Sequence, residues 1–71
     1  MVFKLRQDEH FNGYEPAPCH HEILCNVKKE TMHSIKKGDI VEIDYTGDGE
    51  IWRGIVERVN KPTRQIYYRL I

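Results

Sequence analysis

The sequence has few of the residues that favour helices. Of its 71 residues, one is alanine and three are leucine, whereas isoleucine and valine together number thirteen. Ten of those thirteen fall within residues 35–71. β-branched side chains lose rotamer freedom in a helix and pack well on a pleated sheet, while alanine and leucine are among the strongest helix formers. The composition therefore predicts an all-β protein, above all in the second half of the chain.

The sequence also lacks an excess of charge and any long apolar run. Eleven basic residues balance eleven acidic ones, which excludes a uniformly basic coat for nucleic acid and a polyacidic mimic of it. No apolar stretch approaches the ~20 residues that a membrane-spanning helix needs. Lys4 and Arg6 are followed by polar residues rather than by the apolar core of a signal peptide. We expect a single cytoplasmic domain of residues 1–71, with no membrane partner.

Motifs of the common enzyme classes are missing. The sequence has no glycine-rich phosphate loop, no nucleophile elbow and no His-Glu-x-x-His. So short a domain also offers little concavity for a substrate. We therefore expect a non-catalytic binding module rather than an enzyme.

Alternation of apolar and polar residues indicates short strands separated by turns. Residues 7–22 contain Asn12-Gly13, Pro16 and Pro18, which predicts a long loop. Gly54 inside a strand predicts a bulge or a sharp bend. A meander of antiparallel strands bent at this glycine closes on itself, because closure removes exposed edges. The predicted fold is a five-stranded SH3-like small barrel with a long N-terminal loop. Its strands are expected at residues 2–6, 23–29, 40–45, 51–59 and 65–71.

A spaced glycine and valine pattern runs through residues 36–59. It reads Gly38-Asp39-x-Val41-x-Ile43, then Gly54-x-Val56-x-x-Val59. This pattern resembles the small SH3-like barrels of the KOW type, in which a Gly-Asp turn opens a strand and a later glycine marks a bend. Short bacterial proteins of unknown function carry a similar arrangement. Many KOW-type barrels bind RNA, ribosomes or polymerase, so the resemblance implies binding rather than catalysis.

The leading functional hypothesis is a module that docks onto a protein or ribonucleoprotein partner as an adaptor or inhibitor. It would use the long loop together with the exposed face of the last hairpin. For Trp52, alternation leaves two interpretations open, a core position and an exposed interface anchor. The predicted partner-binding residues are Phe11, Tyr14, His20, His21, Trp52 and Tyr67.

The neutral total conceals an acidic segment and a basic one. Residues 39–50 contain five acidic residues and no lysine or arginine, whereas residues 51–71 contain five basic residues against Glu57 alone. Arginine pairs with phosphate and aromatic rings stack on bases, so direct RNA or DNA binding is the alternative function. The other interpretation is that these charges pair across neighbouring strands. The candidate nucleic-acid residues are Arg53, Arg58, Lys61, Arg64, Arg69 and Tyr68.

Cysteine is scarce, and the two present lie close to histidines. Thiolate and imidazole are preferred zinc ligands, and a zinc ion would stabilise so small a domain. The candidate ligands are Cys19, His20, His21 and Cys25, although their spacing fits no common zinc finger. The favoured interpretation is no cofactor, with reduced thiols and Cys25 packed into the core from a strand at 23–29.

The chain stays apolar to its end, with Tyr68-Arg69-Leu70-Ile71 as the last residues. A terminal strand without a polar gatekeeper can pair edge to edge with a second copy. The sequence therefore also predicts a homodimer as an alternative to the monomer.

Overall fold

A computed structural model of the protein describes residues 2–17, 21–45 and 50–71, without the side chains of residues 16 and 17. The predicted mostly-β class is confirmed, because strands account for most of these residues and one short helix accompanies them. In chain order the elements are β1 (Val2–Arg6), β2 (Tyr14–Ala17), β3 (His21–Leu24), α1 (Lys29–Ser34), β4 (Ile40–Asp44), β5 (Ile51–Asn60) and β6 (Gln65–Leu70).

The six strands form one mixed sheet in the order β1-β4-β5-β6-β3-β2. β1 runs parallel to β4, and the other neighbouring pairs are antiparallel. Within the described residues the sheet has six strands rather than the predicted five, and it is not closed, since β1 and β2 are its edges. β6 pairs with β5 on one side and β3 on the other. β6 therefore has a neighbouring strand on each side, and the homodimer stays a prediction.

The segment predicted as a long loop, residues 7–22, contains all of β2 and the start of β3. The Asn12 N–H donates to the Cys25 carbonyl at 3.1 Å and the Cys25 N–H donates to the Gly13 carbonyl at 2.9 Å, which extends this hairpin. β2 contains Pro16, which has no N–H to donate. An edge strand tolerates proline because one of its sides needs no ladder bonds. Proline here marks an edge strand rather than a loop.

The strand predicted at residues 23–29 is shifted towards the N-terminus. β3 ends at Leu24, and Asn26 has a φ of 52°, in the left-handed region that interrupts a strand. Leu24 and Val27 are buried, whereas Cys25 is half-buried. The predicted core position of Cys25 is therefore wrong, because it follows the strand rather than continuing its alternation.

The core lies on the inner face of the curled sheet, and α1 covers one end of it. As predicted, Val41 and Ile43 point inward, and Tyr45 packs against the same cluster. Met32 of α1 is buried beside them. The other buried apolar residues are Leu5, Phe11, Leu24, Val27, Ile35, Val56, Ile66 and Tyr68.

Gly54 allows a close approach of β6 and the Tyr68 ring. A Cβ at this position would overlap the Tyr68 ring and lie 2.7 Å from the carbonyl oxygen of Arg69. The register shift in β5 falls between Val56 and Arg58 instead. The predicted bulge at Gly54 is therefore wrong, and the glycine is explained by the ring that crosses it.

The two ends of the sheet carry different features. At one end, which we call the helix end, α1 lies beside the turn that joins β5 to β6, and the Val27 N–H donates to the Arg64 carbonyl at 3.0 Å. At the opposite end, which we call the open end, Glu22, Tyr45 and Trp52 lie on the inner face.

Candidate functional site

A groove at the helix end separates α1 from β5 and from the β5–β6 turn. One part has a volume of about 530 Å³ and a second part about 440 Å³, and both are lined by Met32, His33 and Lys61. Because they share these residues, the two parts are adjacent, and we treat them together as one groove. Its floor is apolar, since Met32 and Ile35 are buried core residues. We call it the basic groove after its exposed cations, which are Lys29, Lys36, Lys37, Arg58, Lys61 and Arg64.

Glu57 is the acidic residue that lines the basic groove. Its carboxylate oxygen Oε1 lies 3.2 Å from Nε of Arg69 and 3.9 Å from Nε2 of His21. Arg69, on the outer face of the sheet, therefore balances the negative charge of Glu57. The groove keeps a strong excess of positive charge.

Arg58 is positioned by an aromatic ring. Its guanidinium carbon lies 5.6 Å from the centroid of the Tyr67 ring, within the range of a cation–π contact. The two residues face each other across the β5–β6 ladder. Tyr67 is half-buried, so it acts as a support for Arg58 at the edge of the groove.

The predicted nucleic-acid residues do not share one surface. Arg58, Lys61 and Arg64 line the basic groove. Arg53 lies on the outer face, where its Nη2 is 3.1 Å from Oε2 of Glu42. Arg69 is engaged by Glu57 on the same face, so the interpretation of cross-strand pairing holds for these two arginines.

Tyr68 is a wrong prediction as a nucleic-acid residue. Alternation along β6 turns its side chain inward, where it is fully buried over Gly54. A ring in that position has no face available for a base.

Half of the basic groove was missed by sequence reasoning. Lys29 comes from the end of the strand predicted at residues 23–29, and Lys36 and Lys37 come from the predicted turn before β4. The available signal was the pairing of lysines at 28–29 and 36–37, on both sides of α1. The fold brings them opposite the β5–β6 turn, some 24 to 35 residues later in the chain.

The predicted partner-binding residues are also dispersed. Phe11 is a wrong prediction, because it is 1% exposed and fills the core with its ring edge-on to Tyr45, at 5.8 Å between centroids. His21 and Tyr67 lie on the outer face, and His20 lies outside the described residues. Tyr14 and Trp52 remain exposed, at 49% and 42%.

Three side chains of the open end converge on one carboxylate. The hydroxyls of Tyr45 and Tyr68 donate to Oε2 of Glu22 at 2.7 and 2.8 Å, and the two hydroxyls also contact each other. Burial raises the pKa of both phenols above its usual value. Both phenols therefore remain neutral hydrogen-bond donors near neutral pH.

The candidate zinc ligands are placed only in part. Cys25 is half-buried, with its Sγ 3.9 Å from the Ile23 carbonyl oxygen. His21 lies beside Glu57 on the outer face. Cys19 and His20 lie outside the described residues. In residues 2–17, 21–45 and 50–71, no three histidine, cysteine or acidic side chains come together as a metal site would require.

In the described part of the chain, no helix is long and apolar enough to cross a membrane, and α1 has six residues. Comparison with models of protein families, with curated proteins and with solved structures finds no match to this chain.

Proposed function

We propose that the protein is a non-catalytic binding module whose basic groove holds the phosphate backbone of a nucleic acid. The observation that carries this proposal is the segregation of charge. Six of the eleven lysines and arginines line the two adjacent parts of the groove, in a chain with a net charge of zero. Positive charge focused in a cleft attracts a polyanion more strongly than the same charge scattered over a surface.

The shape of the groove supports a flexible single strand. Its cations stand on both sides of an apolar floor that includes Met32 and Ile35, so the strand would contact cations on either side. A single strand that contacts about four phosphates gives a slope of about −2.8 for log K against log salt. Affinity then falls roughly 50-fold between about 50 and 200 mM salt. The KOW-like pattern of residues 36–59 is compatible with RNA as the polymer.

Docking onto a protein or ribonucleoprotein, as an adaptor or inhibitor in the cytoplasm, is the second candidate. It is favoured by Tyr14 and Trp52, two large aromatic side chains that remain exposed. Exposed aromatic residues are enriched among the anchors of protein interfaces. A ribonucleoprotein partner could engage both these side chains and the basic groove.

The test of the nucleic-acid proposal is fluorescence anisotropy with a labelled single-stranded RNA and a DNA of the same sequence. Lys61→Gln removes a cation that lines both parts of the groove. Lys4→Gln is the matched control, because it removes an equal charge from exposed β1. We expect Lys61→Gln to weaken binding about 3- to 10-fold and to flatten the salt slope by about 0.7 to 1. Equal losses in the two variants would refute a role for the groove.

A further inference from the structure

A shift in strand register places two consecutive side chains in the basic groove. The β5–β6 ladder is irregular between Val56 and Arg58, so β5 carries one extra residue, Glu57. Arg58 then pairs with Tyr67 of the outer face, although the inward alternation of Gly54 and Val56 would turn it towards the core. Glu57 and Arg58 both line the larger part of the groove. The bulge therefore brings a carboxylate and a guanidinium together where regular alternation would separate them.

The Glu57 carboxylate is unexpected in this groove, because it repels the phosphates that the surrounding cations attract. Its Oε1 lies 3.2 Å from Nε of Arg69, and 35% of its side-chain surface stays exposed. Pairing with an arginine does not require a place in the groove, since Glu42 and Arg53 form the same kind of pair outside it. A carboxylate offers about four lone-pair sites, so further donors can bind beside Arg69.

The bases of a nucleic acid carry such donors. Guanine presents N1–H and the N2 amino group side by side on its Watson–Crick edge, which matches the two oxygens of a carboxylate. Adenine and cytosine place one amino group beside a ring nitrogen that accepts, and uracil places one N–H between two carbonyl oxygens. Those acceptors would face the carboxylate and repel it. Guanine is therefore the base that fits Glu57 best.

Arg58 supplies a surface on which that base can stack. Its side chain is exposed, and its guanidinium carbon lies 5.6 Å from the centroid of the Tyr67 ring. Unpaired bases stack on guanidinium planes as well as on aromatic rings. A guanidinium that a ring supports on one side keeps its other face for a base. Glu57, the neighbour of Arg58 in the bulge, lines the same part of the groove.

We propose that the basic groove selects a guanine in a single-stranded nucleic acid. Glu57 accepts from its N1–H and N2 amino group, and Arg58 stacks on its ring. This inference rests on the proposed function, because it concerns the same groove, and it adds a base preference to the binding of phosphates. Lys36, Lys37 and Lys61 line the same part and attract the neighbouring phosphates. A duplex cannot bind in this way, because the Watson–Crick edges of its guanines are already paired.

The test compares short labelled RNA strands that differ at their central base and have uracil at every other position. The central base is guanine, inosine, adenine or uracil, and inosine is guanine without its amino group. Fluorescence anisotropy gives the affinity of each strand for the full chain. We expect the guanine strand to bind about 5- to 10-fold more tightly than the uracil and adenine strands, with the inosine strand between them.

Two variants form a matched pair. Glu57→Gln and Glu42→Gln each remove a carboxylate that is paired with an arginine of the neighbouring strand, but Glu42 lies outside the groove. Glu57→Gln also removes a repulsion on the phosphates. We therefore expect it to bind the uracil strand at least as tightly as the unaltered protein does, while the preference for guanine falls below about two-fold. Glu42→Gln should keep the preference.

Two results would overturn the inference and leave the proposed function intact. The first is an equal, salt-dependent affinity of the unaltered protein for the guanine and uracil strands. The second is a Glu57→Gln variant that binds every strand more tightly by the same factor, which would show that Glu57 acts through its charge alone. Guanosine monophosphate that competes as strongly as the guanine strand would assign the site to a free nucleotide and also overturn the inference. If no strand bound, the proposed function and the inference would both fail.

Discussion

The helix end and the open end belong to one sheet, yet they display opposite chemistry. At the helix end, six exposed cations stand over an apolar floor. At the open end, the hydroxyls of Tyr45 and Tyr68 hold the Glu22 carboxylate in place, and the Tyr14 ring packs against that of Tyr45. The zero net charge of the whole chain therefore conceals a local concentration of positive charge at the helix end. A net charge near zero excludes a uniform coat for nucleic acid, but it does not exclude a local site.

The outer face of the sheet shows why the ends carry the recognition chemistry. Along it, acidic and basic residues stand opposite each other in the ladder, as Glu42 and Arg53 do at 3.1 Å. Paired charges of this kind attract a third charge weakly, because their fields largely cancel. The inner face is filled by the core. The two ends of the sheet therefore carry the groups that can bind a ligand.

The largest effect should come from removing the ring that supports the open end. Phe11→Ala deletes a fully buried side chain that packs edge-on to Tyr45, and we expect it to lower the free energy of unfolding by about 3–5 kcal/mol. Urea denaturation measures this change. Tyr14→Ala is the matched control, because its exposed ring should cost about 1 kcal/mol or less. Similar losses in the two variants would mean that Phe11 is not part of the core.

The second largest effect should be an alkaline pH dependence of the free energy of unfolding, caused by Tyr45 and Tyr68 of the open end. Tyr45 and Tyr68 have a raised pKa in the folded protein because they are buried. Unfolded tyrosine ionises near pH 10, so above that value the unfolded chain releases protons that the folded chain retains. The contribution of these two phenols to stability is therefore constant below about pH 9 and falls above about pH 10, by at most ~1.4 kcal/mol per pH unit for each phenol.

Thermal denaturation between pH 8 and about pH 11 checks this dependence. Tyr45→Phe should remove part of the alkaline slope, since one of the two ionising groups is gone. Tyr67→Phe, on the outer face, serves as the comparison, and we expect a slope close to that of the unaltered protein. A slope that Tyr67→Phe reduces and Tyr45→Phe does not would contradict the assignment to the buried pair.

The sequence was most informative where a single segment carries a complete pattern. From Val41 onward in β4, apolar and acidic residues alternate, and this pattern alone assigns Val41 and Ile43 to the core. β2 is not predicted from the sequence, because an edge strand has few buried positions and tolerates Pro16. For α1, the sequence predicted a connector at residues 30–38 with room for one helical turn, because six residues are too few for a clear helical period. Packing of Met32 rather than intrinsic propensity holds α1 in place.

The candidate sites were harder to predict because each joins distant segments. Lysines at 36–37 and arginines at 58 and 64 look unrelated until α1 is seen to lie beside the β5–β6 turn. The Glu22 cluster likewise joins β3, β6 and the residue after β4. The pairing of distant strands brings together the residues of the basic groove and of the Glu22 cluster. Alternation within a strand does not show which strands become neighbours.

The basic groove should lose affinity in proportion to the cations removed from it. The double variant Lys36→Gln with Lys37→Gln removes two cations from the wall of the groove. We expect RNA binding to weaken about 10-fold and the salt slope to flatten by about 1.4 to 2. Anisotropy at several salt concentrations measures both. Arg53→Gln is a control, because Arg53 is paired with Glu42 outside the groove, and it should change affinity less than two-fold. A larger effect from Arg53 would move the nucleic-acid surface to the outer face.

The smallest effect concerns the support of Arg58 by Tyr67. A cation–π contact at an exposed site contributes about 0.5–1 kcal/mol. The Tyr67 ring holds the Arg58 guanidinium in one orientation. Tyr67→Leu keeps an apolar body on the sheet but removes the ring face. RNA affinity should therefore fall only about two- to five-fold, with the salt slope unchanged, because no charge is lost. Arg58→Gln should lower both affinity and slope. A flatter salt slope in Tyr67→Leu would contradict this expectation. It would mean that the ring positions at least one phosphate contact, so that RNA binding at the helix end depends on the outer face.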